Sequence, residues 1–103
     1  MNAIMAIALA NGLLVVEDAC MGIGGSIVGS SPGTFGIAGA YSVHPLKSLN
    51  VMGDGGMVVT NDDGMAEWMR KYRNHGMVDR DHIDFGGSIC ACSLFKLRSP
   101  AMG

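Results

Sequence analysis

Leu13-Leu14-Val15-Val16-Glu17-Asp18 is the stretch that decides the fold. Four apolar residues in unbroken succession are the pattern of a strand covered on both faces, and the two acids mark its carboxyl end. Acidic side chains at that end point toward the crevice where open α/β sheets bind their ligands. Ahead of the run, Asn2 to Ala10 reads as a helix, with Ile4, Ile7 and Ala8 at helical spacing and Asn11-Gly12 as a left-handed stop. Behind it, Gly22 to Gly39 is dense in glycine and serine and contains Pro32, which predicts turns and at most a short strand at Ser26 to Val28.

Two further buried strands are expected, at Ala38 to Ser42 and at Met57 to Thr60, with Gly53-Asp54-Gly55-Gly56 as the turn ahead of the second. Asp62 then suits a helix N-cap, and the helix from Asp63 to about Tyr72 places Met65, Trp68, Met69 and Tyr72 on one face. This order predicts an α/β architecture: three or so strands in one sheet, both faces covered, with flanking helices. No repeat, linker or charge block marks a second domain. From Ser88 to Gly103 there is no clear period and no cap signal.

Composition sharpens this picture. Of 103 residues 49% are apolar, 16 are glycine and only 16% are charged, against about a quarter in ordinary globular chains; the mix describes the inside of a larger protein. The net charge is −2, and no Lys or Arg precedes Lys47. The other basic residues form no dense tract interleaved with aromatics, which excludes a nucleic-acid groove. Ala3 to Val16 is apolar, but it lacks a positive n-region, is broken by Asn11-Gly12, and is too short to span a membrane. The expected location is cytoplasmic. Cys20, Cys90 and Cys92 are odd in number without a C-x-x-C pair, so no disulfide framework is expected. Cys90 and Cys92 with His82 fit no standard zinc spacing and read as ordinary thiols.

Several residues carry candidate chemistry. Lys47 follows a buried strand and is flanked by Leu46 and Leu49, where partial desolvation favours the free amine that attacks an aldehyde; the plain alternative is a solvated surface lysine. Asp18 is either the polar end of a strand, a cap for the next turn, or a ligand. Ser42 is a strand-end hydroxyl. The glycine-rich turn at 53–56 precedes no helix, so it is a tight backbone passage and not a phosphate loop. His44 and His75 suit loop bracing as well as catalysis.

Ala40-Tyr41-Ser42-Val43-His44-Pro45-Leu46-Lys47-Ser48-Leu49-Asn50, with the glycine turn beyond it, closely resembles the cofactor-lysine motif of the DegT/DnrJ family of pyridoxal-phosphate-dependent sugar aminotransferases. Val16-Glu17-Asp18-Ala19-Cys20 is similar to that family's acidic strand end, Gly33-Thr34-Phe35-Gly36 to its loop into the next strand, and Arg73-Asn74-His75-Gly76 to a signature at a helix end. The four motifs stand in family order over residues 1 to about 86. The resemblance implies a partial large domain of a fold-type I transferase binding pyridoxal 5'-phosphate. Lys47 would hold the cofactor covalently and shuttle a proton, and Asp18 would face the ring nitrogen, whose protonated form is the electron sink. Ser42 would bind the phosphate. Asn74 would reach the phosphate of a neighbouring subunit, which implies a homodimer. Met21 stands where the family usually has a glutamine facing the phenolic oxygen; a thioether accepts weakly and cannot donate.

The implied reaction passes an amino group from a donor such as glutamate to a nucleotide-linked keto sugar. A related dehydratase branch replaces the lysine with histidine, and Lys47 speaks against it. Family members are several times longer, and residues 87–103 match nothing in the family, so the chain reads as a fragment of the large domain over 1–86 with an unrelated tail. The alternative from another class is a non-catalytic remnant, or a module that associates with a full-length partner, because strands made to be covered are left open.

Overall fold

A computed structural model describes residues 1–87 in full and the backbone of 92–96. The expectations for Cys90 and for the rest of the 87–103 tail fall outside the described residues, except for that strand's backbone. The chain forms helix α1 (Asn2–Ala10), strands β1 (Val16–Asp18), β2 (Ala38–Ser42) and β3 (Gly56–Thr60), helix α2 (Asp63–Tyr72) and strand β4 (Cys92–Lys96). They make one four-stranded sheet in the order β1-β2-β3-β4. β1 and β2 are parallel, β2 and β3 antiparallel, and β3 and β4 parallel. Strand β4 was not expected from the sequence.

The first strand begins later than its apolar run suggests. Leu13 and Leu14 are exposed, the strand is Val16–Asp18, and both acids lie within it. The reason is pairing: Val16, Glu17 and Asp18 are the residues that find ladder partners in Ala38, Gly39 and Ala40. Nor is the sheet covered on both faces at this edge, since Val16 is 68% exposed. Helix α1 turns Ile4 and Ile7 to solvent and buries Ala8, and it ends as expected, with Gly12 left-handed at φ +63. Helix α2 lies against β3 and β4, and its Ala66 is buried. Its N-cap Asp62 accepts the Met65 N–H at 2.5 Å, a bond worth about 1 kcal/mol. Trp68 and Tyr72 share one face as expected; both are part-exposed and stack together and with Phe85, Trp68 at 4.9 Å from Tyr72 and 5.8 Å from Phe85.

No strand forms at 26–28. Ile27 and Ser30 exchange two backbone bonds, at 2.8 and 3.1 Å, around Val28 and Gly29 with φ of +51 and +80. Two left-handed residues in succession make the hairpin turn that asparagine-glycine favours, and a β-branched residue at its first place is strained. Val28 is 88% exposed, so relieving that strain disturbs no packing. Val28→Asn is expected to stabilise the chain by about 1 kcal/mol, read as a higher urea midpoint; a lower midpoint would mean that Val28 makes a contact worth more than its strain.

Candidate active site

Parallel pairing of β1 and β2 brings their carboxyl ends to one edge of the sheet. Asp18 lies opposite Ala40, and Ser42 ends the same strand two residues further on. The chain then leaves the sheet at Val43, runs out through Lys47, and returns through Gly53-Asp54-Gly55-Gly56, with the Val43 N–H closing on the Gly55 carbonyl at 3.0 Å. The glycine turn thus passes beside Val43 and Ser42, the latter paired with Gly56.

Lys47 is half-buried. Its Nζ donates to the Met21 Sδ at 3.4 Å across 26 residues of sequence. Leu46, expected to shield it, is 85% exposed, so the thioether is the contact that covers the amine. Asp18 is open to solvent and its Oδ1 accepts the Cys20 N–H at 3.1 Å. The neighbouring Cys20 thiol, the bond from the Cys20 N–H and the charge of Lys47 hold the Asp18 carboxyl below the usual carboxylate range, while the thiol itself lies 3.8 Å from the Ala40 carbonyl. The Cys20 thiol is pushed up in turn, by the neighbouring Asp18 carboxylate and by burial. Asp18, Cys20, Met21 and Lys47 therefore form one electrostatic group at the strand ends. The Ser42 Oγ accepts the His44 N–H at 3.3 Å. A cavity of about 320 Å³ opens on the α1 side of β1, with Met1, Ile4, Val16 and Asp18 among its walls.

Asn74 is not part of this group. It is exposed in the turn after α2, where its N–H bonds the Lys71 carbonyl at 3.0 Å, and among the described residues its side chain bonds none of Asp18, Ser42 and Lys47. The turn owes its sequence to backbone geometry: His75 and Gly76 are left-handed, at φ +57 and +72, and a Cβ on Gly76 would stand 1.7 Å from the Phe85 carbonyl.

Glu17 corrects the expectation that both acids face the crevice. Neighbours on a strand point to opposite faces, and Glu17 turns away from Asp18 into the body of the chain, 8% exposed. Its carboxylate accepts the N–H groups of Gly33, Phe35 and Gly36 at 2.8, 2.6 and 2.7 Å. The signal was present in the sequence as strand period together with a glycine-rich loop needing an acceptor. Tyr41, whose hydroxyl bonds the Pro32 carbonyl, closes the other side of that loop.

The sequence profile of the DegT/DnrJ/EryC1/StrS aminotransferase family matches residues 1–98. A UDP-N-acetyl-3-dehydro-alpha-D-glucosamine 3-aminotransferase from Acidithiobacillus ferrooxidans is 45% identical, over 84% of this chain and 24% of its own length. A pleiotropic regulatory protein from Geobacillus stearothermophilus is 50% identical, over 74% of this chain and 20% of its own. A crystal structure of a DegT DnrJ EryC1 StrS aminotransferase from Brucella abortus superposes with a TM-score of 0.81 at 37% identity, over 85% of this chain and 24% of that one. The chain thus spans a fifth to a quarter of the length of these relatives. With its family profile, its relatives and its fold in agreement, the chain belongs to the DegT/DnrJ/EryC1/StrS aminotransferase family.

Proposed function

We propose that this chain supplies part of the pyridoxal-phosphate site of an enzyme that moves an amino group from a donor such as glutamate to a nucleotide-linked keto sugar. The observation that carries the reading is the meeting of the Lys47 amine with the Met21 sulfur, beside a carboxylate kept ionised at the ends of two parallel strands. The residues present fit the cofactor: an anionic Asp18 suits a protonated ring nitrogen, and an amine within its field suits an aldehyde. Bound pyridoxal phosphate supplies that aldehyde and an electron sink.

Lys47 would hold the cofactor and, as a free amine, would move a proton at the donor's α-carbon. Asp18 keeps the ring nitrogen protonated. Ser42 offers its hydroxyl to the phosphate, Met21 packs against the lysine, and Asn74 reaches the site of a second subunit in a homodimer. This chain's share of the large, cofactor-binding domain runs past residue 86, where the family motifs end, because the family match continues to residue 98 and β4 joins the same sheet. The proposed location is cytoplasmic; no helix among the described residues is long and apolar enough to cross a membrane.

Adding pyridoxal phosphate to the chain is expected to raise a new absorbance band near the edge of the visible, lost in Lys47→Ala. A wild-type spectrum that is the plain sum of protein and free cofactor would defeat the reading.

A further inference from the structure

We propose that His44 is a positioning residue for Lys47: its ring caps the turn that carries the amine. The inference rests on the role proposed above for the lysine. His44-Pro45-Leu46-Lys47 closes as a turn, the Lys47 N–H donating to the His44 carbonyl at 2.9 Å, with proline in the second place, where its fixed φ suits a turn. The first place usually holds Asp, Asn or Ser, because a short polar side chain accepts the N–H two residues on. Here the imidazole does so, taking the Leu46 N–H on Nδ1 at 3.2 Å.

A ring nitrogen that accepts carries no proton, so neutral His44 bears its proton on Nε2. That nitrogen faces the Asp54 Oδ1 at 3.6 Å. Asp54 belongs to the glycine-rich return and its side chain is 91% exposed; the pair face each other beyond hydrogen-bond distance, and among the described residues the ring's one hydrogen bond is that from the Leu46 N–H. The loop is tied elsewhere as well: the Val51 N–H bonds the Val43 carbonyl at 3.0 Å, and the Asn50 side chain bonds the Lys47 carbonyl at 3.2 Å. Those bonds close the loop, while the His44 ring caps the turn on which Lys47 stands. The His44 side chain is 45% exposed, so its removal takes little from the core.

The test is selective capture. The 103-residue chain is incubated with pyridoxal phosphate or with a plain aliphatic aldehyde, reduced with borohydride, and the modified Lys47 peptide is quantified against the Lys71 peptide in the same sample. Wild type is expected to favour pyridoxal phosphate at Lys47. His44→Ala should cut that preference about tenfold, because misplacing an attacking group costs rate steeply. His44→Asn, which keeps an acceptor for the Leu46 N–H, should stay within about twofold of wild type. An undiminished preference in His44→Ala overturns the proposal alone. If His44→Asn falls as far as His44→Ala and Lys71 becomes more reactive in both, the ring serves the fold and the proposal is again wrong. A wild-type chain without preference at Lys47 sinks the cofactor reading, and this inference with it.

Discussion

Glu17→Gln is expected to destabilise the chain by about 3 kcal/mol, since hydrogen bonds to charged groups contribute about 1.5–3 kcal/mol each. One carboxylate oxygen takes the Phe35 and Gly36 N–H groups and the other takes Gly33. An amide oxygen can keep the first pair, but the amide NH2 then confronts the Gly33 N–H, donor against donor, in a buried place. The connection from β1 to β2 has no helix or ladder of its own over residues 19–37, apart from the Ile27–Ser30 bridge. Its buried backbone groups therefore depend on such anchors. Glycine leaves no slack there: a Cβ on Gly36 would stand 2.2 Å from the Val15 carbonyl, and one on Gly39 2.4 Å from Gly33. Urea unfolding followed by circular dichroism reads the effect. Tyr41 gives a second readout, because its phenol is held above the ordinary range by burial and, after that, by the charge of Glu17. In Glu17→Gln its ionisation should move down toward the ordinary value and keep the part due to burial. A loss of stability under about 0.5 kcal/mol, the scale of surface substitutions, would mean that Tyr41 and the glycines hold the loop without the carboxylate.

The second large effect is on rate: the 103-residue chain alone is expected to show no aminotransferase turnover, even where Lys47 captures the cofactor. Transamination needs the ring clamped, its phosphate held, and the donor and sugar nucleotide placed, and loose placement costs orders of magnitude. In the proposed roles this chain offers the Lys47 amine, the Asp18 carboxylate and the Ser42 hydroxyl, and the group is open to water. Asp18 is exposed, Met21 is 69% exposed and Leu46 is 85% exposed. Water at such a site screens every charge that a dry pocket would strengthen. The chain would be incubated with pyridoxal phosphate, glutamate and a panel of nucleotide-linked keto sugars, with Lys47→Ala as control. Turnover by wild type that vanishes in the control would show that these residues suffice.

By itself the sequence determined the elements whose cause is local. The helix of residues 2–10 with its glycine stop, the strand at 38–42, the Asp62 cap and the helix it opens were all legible, because spacing, caps and turn residues act within a few positions. The family was legible too, since Asp18, Lys47 and the glycine turn stand as contiguous motifs. Tertiary structure alone decided the rest. Pairing with β2 moved the first strand past Leu13 and Leu14 onto Val16–Asp18. Pairing with β3 made a strand of residues 92–96, which have no period of their own to announce it. The same placement of β1 separated Glu17 from Asp18, one anchoring a loop and the other exposed at the strand end within the field of Lys47, and brought Met21 against the lysine. Such contacts join residues far apart in sequence, and they depend on which face of a strand each side chain takes once the ladder is in register.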